Sequence, residues 1–383
     1  MYSPITHLPA LWLKRPVQLT FFLTRRCNAH CPYCFYLQSN DAPTGETKDE
    51  LQLPEIEQIS ASMKNLLWLA FSGGEIFLRR DLVEISKTFY RHNHPVYMLF
   101  PTNGQNPDRV FRMVRDIAGS CVNSNIIVKL SIDDLYEEHD RLRATPRSFE
   151  KTLETYAKLS TLCHKHSNLQ IGVNTVFCAQ NQDRIDAIID FVSKLSAVKT
   201  HTLSLVRGDL RQKNYKHVDM EKYRRATQRL AQFIQRQQSP HYSFTAGKLK
   251  IAQDVLQRRL IDRTMRKQDR VTPCYAGSVN LVLSESGEVY PCELQSRSMG
   301  NIKTYHYRMD QLLRDHAAKA AQAWVKQNHC FCSHECHMMT NILANPARYP
   351  AWFKEYVRLF HAQNPLFPGR EDVPRPQHGF GDG

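Results

Sequence analysis

Nowhere in these 383 residues does an uncharged apolar window of about 18 residues occur, which excludes an ordinary membrane-spanning helix. The opening stretch, MYSPITHLPALWLKRPVQLTFFLTRRC, lacks the small-residue cleavage site of a signal peptide, and Lys14, Arg15, Arg25 and Arg26 break its apolar runs. A cytoplasmic protein is expected. No internal repeat and no long low-complexity segment is present, so repeat architectures are set aside. Acidic residues are the scarcer charge, 37 Asp and Glu against 51 Lys and Arg, for a formal charge of +14. The excess is local: residues 207–270 hold 17 Lys and Arg against 6 Asp and Glu, or +11, and the rest is nearly balanced.

Cysteine is not scarce. Eleven are present, a number that in a reducing compartment points to metal binding or catalysis rather than disulfides. Cys27, Cys31 and Cys34 form one group, and Cys274, Cys292, Cys330, Cys332 and Cys336 a second. Cys121, Cys163 and Cys178 stand alone in apolar surroundings and read as core packing.

From residue 17 to about 206, short β-branched or aromatic runs alternate with amphipathic ones. Residues 17–24, 66–74, 95–104, 125–133, 169–177 and 200–206 read as buried strands; 81–93, 148–166 and 183–195 are examples of the helical segments between them. Such alternation implies an α/β fold with a parallel sheet, flat or curled into a partial barrel. In these folds chemistry collects at the C-terminal ends of the strands. Cys27 and the stretches SGGE, TNG, SID and VRGD all fall there. Residues 218–236 place Met220, Tyr223, Leu230, Phe233 and Ile234 on one helical face, and 247–267 reads as a second amphipathic helix.

What is missing from the first cysteine group is a fourth thiol. Its spacing is Cys27-x3-Cys31-x2-Cys34. Two readings fit. A structural zinc takes four ligands and would need His30 to complete the set. A cubane cluster held by three thiolates would keep one iron open for a substrate. The spacing, with Tyr33 before the last cysteine at the end of the first strand, resembles the motif of the radical S-adenosylmethionine (radical SAM) superfamily. Further motifs follow in order: Ser72, Gly73, Gly74 and Glu75; Thr102, Asn103 and Gly104; Ser131 to Asp133; and HDRLR ending at Arg143. The resemblance covers roughly residues 17–206 and implies a partial (β/α)6 TIM-like barrel. It implies that Cys27, Cys31 and Cys34 ligate a [4Fe–4S] cluster and that the GGE motif meets the amino group of S-adenosylmethionine (SAM). Ser131, Asp133 and Arg143 are expected near its ribose and carboxylate. The implied chemistry is one-electron cleavage of SAM to methionine and a 5′-deoxyadenosyl radical that removes hydrogen from an unactivated carbon. An electron donor such as flavodoxin or ferredoxin is implied with it. The bare sequence adds only that Gly73 and Gly74 permit close backbone approach to a ligand.

The second group begins Cys274-x12-Gly287-x4-Cys292, with residues 279–283 and 288–292 as the strands of a hairpin and ESGE as its turn. This resembles the opening of the SPASM and twitch extensions of radical SAM enzymes, which hold auxiliary iron–sulfur clusters. HCFCSHECH then supplies Cys330, Cys332 and Cys336, interleaved with His329, His334 and His337. Five cysteines depart from the seven of a full SPASM pattern, so one auxiliary [4Fe–4S] cluster is expected. Cys274, Cys292 and Cys336 are the firmest ligands on this reading. Cys330 and Cys332, two apart on an extended chain, face opposite ways and compete for the fourth place. A zinc knuckle using two of the histidines is the competing reading, although C-x-C-x3-C is unlike the common zinc ribbons.

The organisation expected is an N-terminal extension (1–16), a radical SAM barrel (17–206), a basic helical connector (207–270), an auxiliary-cluster region (271–345), and a C-terminal helix with a loose tail (346–383). The tail expectation rests on four Pro and four Gly in the last 19 residues. The basic connector fits an acidic substrate, a nucleic acid, an anionic membrane surface, or two solvated helix faces; Arg207 is its candidate anion contact. No stacking-aromatic pattern of a nucleic-acid module accompanies the charge. Few residues precede the first strand, so an N-terminal leader-binding domain is not expected. The expected function is hydrogen abstraction from a peptide or a small molecule. A tRNA- or nucleotide-modifying enzyme is the alternative within enzymes, and a non-catalytic iron–sulfur or zinc regulator that binds nucleic acid the alternative outside them.

Overall fold

Nine strands form one sheet in the order β6-β5-β4-β3-β2-β1-β7-β8-β9 in a computed structural model of the chain. It describes residues 1–37, 49–235, 247–328 and 330–360. The first six strands are β1 (Gln18–Phe22), β2 (Trp68–Ser72), β3 (Tyr97–Thr102), β4 (Asn125–Ser131), β5 (Leu169–Phe177) and β6 (Val198–Leu205). Each lies within or nearly within a run expected from sequence, and all pair in parallel. After the short α1 (Leu8–Trp12), the barrel helices are α2 (Leu53–Ala61), α3 (Leu82–Asn93), α4 (Pro107–Ser120), α5 (Tyr136–Leu142), α6 (Ser148–Cys163) and α7 (Ile185–Ser193). Helix α4 shows how local chemistry sets a boundary. The Asn106 side chain accepts from the Arg109 amide at 3.3 Å, and Pro107 occupies the first turn, where no amide donor is needed.

Strand alternation divides the sheet into two faces. Leu19, Phe21, Leu69, Phe71, Met98, Phe100, Ile126 and Val128 pack outward with Ile85, Phe89, Val110, Val114 and Ile117 of the helices. Each such buried side chain contributes roughly 1.5–3 kcal/mol. The intervening residues, among them Thr20, Ala70, Leu99, Ile127, Lys129, Asn174 and Thr202, line a cavity of about 940 Å³ on the concave face. The sheet curls without closing, which agrees with the expected partial barrel.

The C-terminal hairpin joins this same sheet. Strand β7 (Asn280–Leu283) pairs in parallel with β1, and β8 (Glu288–Tyr290) and β9 (Gly300–Asn301) follow antiparallel. The basic connector is also built into the body. Helices α8 (Met220–Gln235) and α9 (Gly247–Lys267) precede α10 (Met309–Leu312), α11 (His316–Gln327), α12 (Glu335–Leu343) and α13 (Tyr349–Phe360). Helix α9 packs on α8, α12 and α13, and its Lys250, Asp254, Gln257 and Arg258 reach the barrel cavity. Much of the connector's positive charge is internally paired: Arg224 and Arg266 with Glu221, Arg229 with Asp186 and Asp190, Arg259 with Glu355. The tail beyond residue 360 lies outside the described residues.

Candidate active site

The loop after β1 carries Cys27, Cys31 and Cys34 to the C-terminal edge of the sheet, where all three line the cavity. The end of β2 shapes this loop. The Gly74 amide donates to Thr24 O at 2.8 Å, and the Glu75 amide to Arg26 O at 2.8 Å. Backbone therefore occupies the space of two side chains. A Cβ on Gly74 would stand 2.1 Å from Arg26 O, and one on Gly73, whose φ is 128°, 2.5 Å from Thr24 O. The missing side chains thus admit the cysteine loop, and both glycines also line the cavity where a ligand was expected.

Glu75 lines the cavity, yet its carboxylate is turned to the protein. It accepts from the Asn103 amide at 2.7 Å, the Thr102 hydroxyl at 3.0 Å and the Phe77 amide at 3.1 Å. Burial pushes its carboxyl up, and these donors oppose that. It thus fastens the end of β2 to the end of β3. Asn103 continues the link, donating to Asn28 Oδ1 at 2.8 Å and lying 3.9 Å from Cys27 Sγ.

At the end of β4, Asp133 is fully buried. It accepts from the Tyr33 hydroxyl at 2.6 Å and the Val176 amide at 2.7 Å, and it pairs with Arg143. Burial opposes the Arg143 charge, but Cys31, Tyr33 and Asp133 hold the guanidinium protonated well above its ordinary value. Arg143 lines the cavity, and its Nε is buried without a hydrogen-bond partner. Ser72, Thr102 and Ser131 complete this rim.

The second cysteine group lies in two surroundings. Cys274 and Cys292 pack with Ala276, Val325, Leu294 and Trp324. Burial raises the Cys292 thiol well above its usual value, and Cys332 and Cys274 add to the effect. Burial likewise pushes Cys332 up to about 11, with Cys274 and Cys330 among the neighbours that raise it. Cys274, Cys292, Cys330 and Cys332 therefore form one neighbourhood. Arg270 closes it, reaching Cys330 Sγ at 3.2 Å and Cys330 O at 3.2 Å. Cys336, in the first turn of α12, instead faces the barrel cavity, where burial and then Glu293 push its thiol up to about 12. Spacing ranked Cys336 above Cys330 and Cys332. Cys330 and Cys332 lie on the extended stretch before α12, whereas Cys336 is in its first turn. Gly287 does turn the hairpin, with φ 97°.

The histidines have structural work. His334 Nδ1 caps α12, accepting from the Cys336 amide at 3.2 Å. His337 shares a 2.9 Å hydrogen bond with Asn280, and burial lowers its ring to about 3. His329 lies outside the described residues, and His30 is exposed. Among the described residues no three His, Cys, Asp or Glu side chains converge as a single metal ion requires. Arg207 pairs with Glu293 at 3.0 Å and Glu335 at 2.6 Å, so its charge is met by the protein's own carboxylates. Although burial alone would raise it, His334 and Arg207 hold the Glu293 carboxyl well below the usual range. Cys121 and Cys178 are buried and Cys163 half-buried, as core packing requires.

A cluster and SAM fit these residues. Burial raises the Cys27 thiol to about 12 and raises Cys31, so neither is a ready nucleophile. Metal coordination deprotonates such thiols outright. The orphan Arg143 donor suits an anionic group beside them.

The radical SAM superfamily profile matches residues 21–192. An AdoMet-dependent heme synthase of Methanosarcina barkeri is 25% identical over 306 residues, covering 76% of this chain and 81% of its own. The subtilosin biosynthesis protein AlbA of Bacillus subtilis is 27% identical over 323 residues, covering 82% of this chain and 64% of its own. In fold the chain resembles anSMEcpe with bound AdoMet and a Cp18Cys peptide, with a TM-score of 0.56, 17% identity, and 90% of this chain and 96% of that one covered. It also resembles Streptococcus suis SuiB bound to S-adenosylmethionine, with a TM-score of 0.57, 14% identity, and 81% and 68% covered. Residues 21–192 form a radical SAM domain, and the chain is an iron–sulfur enzyme whose cofactors are a [4Fe–4S] cluster and SAM.

Proposed function

We propose that the enzyme abstracts hydrogen from a substrate held in the barrel cavity, with one auxiliary [4Fe–4S] cluster assisting. The observation that carries this reading is the position of Cys27, Cys31 and Cys34 at the edge of a single cavity of about 940 Å³. When bound, the cluster and SAM supply a 5′-deoxyadenosyl radical, delivered with one electron from a donor such as flavodoxin or ferredoxin. The chain's residues hold and orient. Cys27, Cys31 and Cys34 are the cluster ligands. Arg143, fixed by Asp133, offers its free Nε to an anionic group of SAM. Tyr33, bonded to Asp133, ties the cysteine loop to β4. Glu75 and Asn103 position the far side of the loop. Ser72, Gly73, Gly74, Thr102 and Ser131 form the remaining SAM surface, and α9 and α12 shield the cavity from water.

The auxiliary cluster is assigned to Cys274, Cys292, Cys330 and Cys332, within a region spanning about 271–345. A small-molecule or peptide substrate is favoured over a nucleic acid, because most of the connector's cations are paired or turned inward. The named activities of the heme synthase and of AlbA belong to these two substrate classes. The test is spectroscopic. The reduced [4Fe–4S] electron paramagnetic resonance signal of the reconstituted enzyme changes when SAM is added, and the SAM-dependent change is lost in Cys31→Ala. A spectrum indifferent to SAM in the wild type overturns the reading.

A further inference from the structure

Deep in the cavity, away from the cysteine loop, sits a lysine that the proposed chemistry does not use. Lys129 is two residues before Ser131 on β4, about 7 Å further from the strand's C-terminal end. Its side chain is nine-tenths buried. Its ammonium donates to Thr200 Oγ1 and Thr202 Oγ1, each at 2.8 Å, leaving one of its three N–H groups unassigned.

The sheet is built to admit it. Register places Gly172 of β5 opposite Lys129 and Thr200 of β6 opposite Gly172. A Cβ on Gly172 would stand 2.8 Å from Lys129 Nζ and 2.6 Å from Thr200 Oγ1. Gly172 is not among the positive-φ residues, so its role here is space rather than backbone freedom.

Helix α9 brings a second cation to the same place. Arg258 Nη2 donates at 3.0 Å to the carbonyl of His201, the residue between the two threonines that hold Lys129. Arg258 Nη1 is buried and has no hydrogen-bond partner. His201 does not supply the missing negative charge: burial first, then Arg258 and Lys129, lower its ring to about 3 and keep it neutral. Lys250, also at the cavity, pairs with Asp254. Neither Lys129 nor Arg258 forms an ion pair among the described residues. Buried Lys129 and half-buried Arg258 share this wall, and Asp254, which α9 brings to the same cavity, pairs with Lys250, so the two charges are costly until an anion arrives. Burial accordingly lowers Lys129 to about 7, despite Asp254 nearby.

We infer that the deep end of the cavity binds an anionic oxygen group of the substrate, a carboxylate or a phosphate, between Lys129 and Arg258. This rests on the functional reading above and deepens it. The acidic group anchors the substrate one layer below the rim, so the carbon to be activated faces the cysteine loop. Lys129 and Arg258 are positioning residues here, and Gly172 keeps the lysine's place.

The test uses the reconstituted full-length enzyme saturated with SAM, and inorganic phosphate and succinate as separate probes. In the unmutated enzyme, a saturating probe slows acetylation of Lys129 by acetic anhydride, read by peptide mass spectrometry, while exposed Lys319 reacts at an unchanged rate. Calorimetry gives one saturable site. Lys129→Met and Arg258→Gln each weaken it at least about tenfold, the loss of one charge-assisted hydrogen bond. Lys319→Met leaves it unchanged. Protection by phosphate alone assigns a phosphate-bearing substrate, and protection by succinate alone a carboxylate. If neither probe binds or protects, or if both cavity variants bind as the wild type does, the inference is wrong. Acetylation and binding on the unmutated enzyme decide the matter even if a variant fails to fold. The same preparation's response to SAM reports separately on the functional reading, so an enzyme that responds to SAM but binds neither probe refutes the anion site alone.

Discussion

The Tyr33 hydroxyl donates to Asp133 Oδ2 at 2.6 Å, across 100 residues of sequence, and so fastens the cysteine loop to the end of β4. Removing either end has unequal consequences. Tyr33→Phe leaves Asp133 its Arg143 and Val176 partners and is expected to cost about 1–2 kcal/mol. Asp133→Ala strands a buried Arg143 charge and is expected to cost roughly 3–5 kcal/mol. Anaerobic urea denaturation measures both. Equal losses would mean that Arg143 does not depend on Asp133.

Iron content sorts the cysteines. The reconstituted wild type should hold about eight irons in two cubanes, and Cys27, Cys31 and Cys34 changed together to Ala should leave about four. Cys330→Ser and Cys332→Ser should each impair the auxiliary cluster, whereas Cys336→Ser should keep both. Loss of the auxiliary cluster in Cys336→Ser would restore the ranking read from spacing, and one stoichiometric zinc in the C-terminal region would refute the cluster there.

Gly74→Ala tests the loop's support. Its Cβ would meet Arg26 O at 2.1 Å, and backbone cannot yield as a flexible side chain can. The variant should lose the first cluster and retain about four irons in the second. A full complement would show that the loop tolerates displacement.

Acid should weaken the fold through buried histidines. His139 accepts from the Asp133 amide at 3.2 Å through Nδ1, and burial, then Arg143, lowers its ring from 6.5 to about 4. Its folded value lies below its unfolded one, so the unfolded chain binds the extra proton. The stabilisation is complete above about pH 6.5 and is lost progressively as pH falls toward about 4. Between about pH 6.5 and 5 this amounts to about 2 kcal/mol from His139. His201 and His337 act in the same direction. His139→Gln should flatten the dependence of unfolding free energy on pH over that window; an unaltered slope would remove His139 from the account.

Much of the barrel was legible because parallel strands buried on both faces read as apolar runs, and because the cysteine, SGGE, TNG and SID stretches end such runs. The contents of the cavity were less legible. Charge counted along 207–270 does not distinguish Arg224, paired outside with Glu221, from Arg258, which α9 turns inward. Cysteine spacing does not show that α12 begins at Glu335 and that Cys336 lines the barrel cavity. Lys129 sits inside the strand sequence NIIVKLS, where an alternation of two marks it as facing the other way from Val128; only the register opposite Gly172 and Thr200 gives it a purpose.

Production of 5′-deoxyadenosine tests the central claim most directly. Anaerobically reconstituted enzyme reduced with dithionite should convert SAM to methionine and 5′-deoxyadenosine, measured by liquid chromatography. Cys31→Ala, equally folded by circular dichroism and still holding its auxiliary cluster, should produce none above the protein-free background. Equal 5′-deoxyadenosine from the variant and the wild type would contradict the assignment of Cys27, Cys31 and Cys34 as the site of radical generation.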